Sequence, residues 1–107
     1  MSRVLCRLDD IPDGEGRGFE PDDGGDGILV VRRGDGAYGY VNSCPHAASP
    51  LDWVENQFMS LDKSHILCAT HGAEFRVEDG YCVLGPCRGK SLASVAVSVR
   101  DGEVILD

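Results

Sequence analysis

The sequence predicts an all-β domain. Short runs rich in Val, Ile, Leu and Tyr recur along the chain, and Gly/Asp turn signals at Gly34-Asp35-Gly36, Glu78-Asp79-Gly80 and Asp101-Gly102 separate them. No stretch of useful length keeps the 3.6-residue period of an amphipathic helix. At 107 residues the chain can bury one modest core but not two, so a single domain is expected over 1–107.

Taken in order, residues 3–8 (Arg-Val-Leu-Cys-Arg-Leu) alternate as a half-buried strand would, with Cys6 on the apolar side as a core residue. Residues 12–27 are rich in Gly, Pro and acids, with Phe19 the one large apolar group. This is a solvated loop with room for a short strand near Arg17–Glu20, and its acids read as wet surface. Ile28–Arg33 and Ala37–Asn42 form a hairpin around Gly34-Asp35-Gly36. The segment after residue 46 opens with Pro50-Leu51-Asp52-Trp53, with a turn of helix near Glu55–Gln57. Trp53 and Phe58 are expected to pack beneath the loops on either side. Phe58–Leu61 and His65–Leu67 then read as a hairpin, followed by a second at Glu74–Val77 and Tyr81–Leu84. A third joins Leu92–Arg100 to Glu103–Leu106.

Eighteen acids against ten bases give a formal charge of −8. Such a chain is repelled by phosphate backbones, so nucleic acid is not an expected partner, and the net charge points instead to a protein with a basic patch. No apolar run approaches the roughly 18 residues that span a bilayer, and charges at Arg7, Asp9 and Asp10 interrupt any signal-peptide core. Five cysteines, an odd number, suit a reducing cytoplasm better than a disulfide framework. Cys82 and Cys87 are therefore expected as thiols. Gly85-Pro-Cys-Arg-Gly89-Lys90-Ser91 mimics a phosphate-binding loop but has one residue too few between its glycines, and no helix follows it.

Two short stretches carry the chemistry: Cys44-Pro45-His46 and Cys68-Ala69-Thr70-His71-Gly72. Each pairs a cysteine with a histidine on one tight loop, and together they offer two thiolates and two imidazoles. That set can hold a 2Fe–2S centre with two histidines on one iron and two cysteines on the other. It can also hold structural zinc, although zinc sites of this composition usually present Cys-x-x-Cys and then His-x3-His. A cluster bridged by two loops accounts for the mixing of Cys and His in each half.

The pattern Cys-x-His…Cys-x-x-His-Gly resembles the signature of Rieske 2Fe–2S proteins, in particular the soluble, low-potential Rieske-type ferredoxins, and the likeness extends over essentially the whole chain. It implies a Rieske-like fold: an antiparallel β base domain with an inserted cluster-binding subdomain at about residues 43–87. It implies one 2Fe–2S cluster per chain, held by Cys44, His46, Cys68 and His71, with Gly85–Gly89 as the proline-containing loop that covers it. After those ligands only His65 remains. A mononuclear oxygenase iron needs two more histidines and a carboxylate, so the chain is not expected to be a catalytic oxygenase subunit. The implied function is one-electron transport from a reductase to a terminal oxygenase or similar redox enzyme, with contacts around Pro45, Ala47, Ala48, Gly72 and residues 86–88. A fixed small subunit, as in assimilatory nitrite reductase, is the other function the resemblance allows.

The resemblance also bears on potential. High-potential relatives tie their two cluster loops with a disulfide, and a serine and a tyrosine donate hydrogen bonds to cluster sulfur. The matching positions here are Ser49 and Thr70 for the disulfide, and Ala73 and Phe75 for the donors. Without those donors the extra electron is less stabilised, and the expected potential is on the order of −100 to −150 mV.

Overall fold

The computed structural model describes residues 3–19, 27–43, 59–60, 64–68, 72–85 and 88–106. Within them lie ten strands: β1 (Arg3–Arg7), β2 (Gly16–Phe19), β3 (Ile28–Arg33), β4 (Gly36–Val41), β5 (His65–Cys68), β6 (Ala73–Arg76), β7 (Cys82–Leu84), β8 (Ser94–Val95), β9 (Val97–Arg100) and β10 (Glu103–Leu106). They pair antiparallel into three sheets, ordered β1-β10-β9, β2-β3-β4-β8 and β5-β6-β7. One 3₁₀ turn, Leu8–Asp10, is the only helical piece among the described residues. The expected helical turn at residues 55–57, together with Trp53 and Phe58, lies outside them.

β3 is the organising strand. Leu29, Val30 and Val31 are all fully buried, a continuous apolar run of the kind that sits between two covered faces. Because side chains alternate along a strand, Leu29 and Val31 join one core with Tyr40, Ile66, Cys68, Phe75, Val77 and Leu92. Val30 joins the other, with Leu8, Ile11 and Val104, against which Leu5, Cys6, Phe19, Val97 and Val99 pack. The sheet of β2-β3-β4-β8 thus separates the sheet of β1, β9 and β10 from that of β5, β6 and β7. Each buried Leu or Val contributes about 1.5–3 kcal/mol through removal from water.

The same alternation sends the next two residues to opposite sides. Arg32, on the Val30 side, reaches the core of Leu8, Ile11 and Val104, donating from Nη1 to the carbonyls of Leu8 (3.3 Å) and Ile11 (3.1 Å), with Asp9 Oδ1 at 3.8 Å. Arg33 reaches the other way, to the Ser64 carbonyl (3.1 Å) and the Glu78 carboxylate. One arginine therefore fixes the 3₁₀ turn, and its neighbour ties the β3–β4 hairpin to the third sheet.

Two expectations need correction. The alternation over residues 3–8 is interrupted: the β1–β10 register slips between Val4 and Cys6, so Leu5 and Cys6 both pack inward while Val4 is half exposed. Burial pushes the Cys6 thiol pKa up. The run Leu92–Arg100 is not one strand. β8 pairs with β4 and β9 pairs with β10, with the switch of sheets at Ala96. Gly39 permits it, since a Cβ there would lie 2.8 Å from the Val95 carbonyl and 2.9 Å from Val97 Cγ1.

Candidate metal centre

Of the four expected ligands, Cys68 lies among the described residues; Cys44, His46 and His71 lie outside them. Cys68 ends β5 opposite Ala73, which begins β6, so the second motif forms the connection of a hairpin. Alternation over β5 puts Ile66 and Cys68 on the core side, and both are fully buried. After the motif, the Gly72 amide donates to the Cys68 carbonyl at 2.9 Å, closing the turn, and Gly72 adopts φ +73°. A side chain at that φ is strained, which accounts for the glycine immediately after His71.

The first motif is delivered by β4. Three backbone hydrogen bonds hold the chain up to its edge: Val41 N–H to the Ala93 carbonyl (2.8 Å), Asn42 to Gly27 (3.0 Å) and Ser43 to Val41 (2.8 Å). Cys44 follows directly in the sequence.

A third segment closes on the same place. Glu74 pairs with Leu84 across β6 and β7, and Gly85 then lies directly on Ala73. A Cβ on Gly85 would stand 2.7 Å from the Ala73 Cα, and its φ is +100°. Beyond it the Arg88 amide donates to the Gly85 carbonyl (3.2 Å), and the Lys90 carbonyl accepts from the Cys82 amide (2.8 Å). The loop expected to cover a cluster is thereby anchored one residue from the second motif. Cys82 is fully buried and donates its thiol hydrogen to the Leu84 carbonyl at 3.2 Å, in keeping with the expected thiol; Cys87 lies outside the described residues. Of the phosphate-loop mimic, residues 88–89 form a turn and Ser91 makes an isolated bridge with Tyr81; no helix follows among the described residues.

His65 opens β5 half-buried, with Nδ1 at 2.8 Å from Ser64 Oγ and 3.6 Å from Glu74 Oε1, consistent with a strand residue outside the ligand set. The expected hairpin leading into β5 is present as a single bridge, Met59 with Ile66, supported by Ser60 N–H to the His65 carbonyl at 2.9 Å. Phe75 and Ala73, the positions matched to sulfur donors in high-potential relatives, are both fully buried. Several supports were not legible in the sequence. Arg33 reads only as a strand-end charge, and Asp13, grouped with the wet acids, accepts from the Gly34 amide at 2.8 Å to hold the β3–β4 turn.

The donor set fits a 2Fe–2S cluster: Cys68 stands at the end of β5, and the sequence supplies one further cysteine and two histidines at motif spacing, the two-thiolate, two-imidazole set that such a cluster takes.

The Rieske [2Fe-2S] domain model matches residues 2–99. No curated protein matches the sequence significantly. Among solved structures, a chain in the complex of reduced oxygenase and oxidised ferredoxin in carbazole 1,9a-dioxygenase superposes with a TM-score of 0.81 at 28% identity, over 98% of this chain and 91% of that one. The ferredoxin of carbazole 1,9a-dioxygenase from Nocardioides aromaticivorans IC177 gives 0.80 at 28%, over 99% and 96%. The Sphingomonas yanoikuyae B1 ferredoxin shares the fold, with 0.79 at 22% over 100% and 98%. Sheet order, the buried cysteine that ends β5 and a family match over nearly the full length agree: the chain belongs to the Rieske [2Fe–2S] domain family.

Proposed function

We propose that this chain is a mobile one-electron carrier that passes electrons from a reductase to a terminal oxygenase or similar redox enzyme. The observation that carries this reading is the match in extent to a ferredoxin: 99% of this chain covers 96% of the carbazole 1,9a-dioxygenase ferredoxin at 28% identity. In this reading the chain is one domain, with its cluster-binding part at about residues 43–87, and Cys44, His46, Cys68 and His71 hold the cluster. The bound group takes up and releases one electron, formally at the histidine-ligated iron. The chain catalyses no substrate chemistry of its own and works in the cytoplasm. Among the described residues no helix is long and apolar enough to cross a membrane.

The protein's own residues then have three tasks. The thiolates and imidazoles fix the two irons differently, which raises the potential above that of an all-cysteine cluster. Ala73 and Phe75 withhold hydroxyl donors from sulfur and keep it low within the family range. Gly85 holds the covering loop on Ala73, and Arg33 fixes the third sheet to the β3–β4 hairpin.

The test is reconstitution. The loaded protein, a ferredoxin reductase with its reduced nicotinamide, and a terminal oxygenase should turn over substrate at a rate that depends on, and saturates with, this chain. Isolation from its native host in a stoichiometric complex that survives gel filtration, with no activity as a free carrier, contradicts the mobile reading and favours a fixed subunit.

A further inference from the structure

Resting on that reading, we propose that the edge formed by Leu84, Arg88 and Lys90 is a recognition surface for a redox partner whose docking face carries carboxylates around an apolar spot. The net charge of −8 leads to the opposite expectation, a basic partner. The surface around β6 and β7 departs from that average: residues 72–91 contain three acids and three bases, while residues 43–71 contain three acids and one lysine, and the remainder of the chain carries most of the net charge.

Two of the three acids in residues 72–91 are paired with arginines: Glu78 with Arg33, and Asp79 with both Nε (3.0 Å) and Nη2 (2.5 Å) of Arg76; Glu74, opposite Leu84 in the β6–β7 register, has Oε1 3.6 Å from His65 Nδ1, an ion pair only when that ring is protonated. Arg88 and Lys90 are exposed, and among the described residues neither side chain has a hydrogen-bond or ion-pair partner. Leu84, 53% exposed, stands at the start of the same loop. Their backbones are fixed: the Arg88 amide is bonded to Gly85, the Lys90 carbonyl to Cys82, and Gly85 lies on Ala73, the partner of Cys68 in the β5–β6 register. Two unanswered cations and an exposed leucine thus stand beside β6, the neighbour of the strand that Cys68 ends. An apolar centre with a charged rim is the usual make-up of a docking patch, and complementary charge sets its on-rate and choice of partner.

The experiment uses small redox probes of opposite charge. The cluster-loaded protein is reduced and mixed by stopped flow with tris(oxalato)cobaltate(III), an anion, or hexaamminecobalt(III), a cation. One electron passes from the reduced cluster to Co(III), giving Co(II). The expected result is that the anion's rate falls as salt rises and the cation's rate increases. The double variant Arg88→Glu, Lys90→Glu should slow the anion roughly ten-fold at low salt and speed the cation. Arg88→Gln, Lys90→Gln should give about half that effect on a logarithmic scale, and its midpoint potential should fall slightly. Arg3→Glu, Arg100→Glu changes net charge equally but lies in the sheet on the far side of β3; it should change either rate by less than about two-fold, through screening. An anion rate that increases with salt, or that responds equally to the two Glu double variants, overturns the proposal and leaves the carrier reading standing. A chain that purifies without cluster absorbance overturns both.

Discussion

Tyr40 donates its phenolic hydrogen to the Val77 carbonyl at 2.5 Å inside the core shared by the second and third sheets. Burial, reinforced by Asp79 and Glu78, pushes its pKa up to about 12. An unfolded tyrosine ionises near pH 10, so the phenol's contribution to stability is intact below that pH and is lost as pH rises from about 10 toward 12. Urea unfolding should therefore show stability falling over that window, and Tyr40→Phe should flatten the slope. At pH 7 the same change should cost about 1–3 kcal/mol, because the Val77 carbonyl is left buried without its donor. An unchanged alkaline slope in Tyr40→Phe rules out this assignment. At Ala73 and Phe75 the consequence is redox rather than stability. Ala73→Ser and Phe75→Tyr should each raise the midpoint potential by voltammetry from a starting value on the order of −100 to −150 mV, since a donor to sulfur stabilises the added electron. A wild-type potential well above zero contradicts this account of the residues around the cluster.

Among the elements, β7 ends in a close approach to β6 at Gly85. Gly85 has φ +100° and would place a Cβ 2.7 Å from the Ala73 backbone. Gly85→Ala should lower stability by about 1–3 kcal/mol and speed loss of the visible cluster spectrum, both followed in one thermal melt; an unaltered melt and an unaltered bleaching rate contradict the anchoring role. Such contacts mark the limit of what the sequence discloses. The hairpins at Gly34-Asp35-Gly36 and Asp101-Gly102 were legible because turn chemistry and alternation are local. The break at Ala96 was not, because nothing within Leu92–Arg100 records that Gly39, more than fifty residues earlier, leaves room for the chain to change sheets. The slip in β1 escaped for a related reason: Val4, Leu5 and Cys6 are all apolar, and which one faces out is decided by β10. At the candidate site the two motifs and their spacings were readable, and of the four expected ligands the described residues include Cys68. The covering loop's anchor on Ala73 and the Arg33 tie were not readable, being contacts between distant segments.

On the scale of the whole molecule, β3 joins two cores of different character. One is a base of β1, β9 and β10 closed by Arg32. The other is the sheet that presents the second ligand motif, tied across by Arg33. Arg32→Met should destabilise the protein by about 1–3 kcal/mol in urea unfolding, since the Leu8 and Ile11 carbonyls lose a donor. It should leave the potential unchanged, because the contact lies on the face of β3 away from Cys68; a shifted potential means the two cores are coupled through β3. The central claim is that the two motifs together hold a 2Fe–2S cluster, and metal and sulfide analysis combined with electron paramagnetic resonance tests it most directly. The protein as purified should contain two irons and two acid-labile sulfides per chain, and on reduction should give the rhombic spectrum of a mixed Cys/His-ligated centre. Changing any one of Cys44, His46, Cys68 or His71 to Ala should abolish both, whereas Cys6→Ser should leave them intact. A colourless protein with one zinc per chain and no signal on reduction would contradict the account.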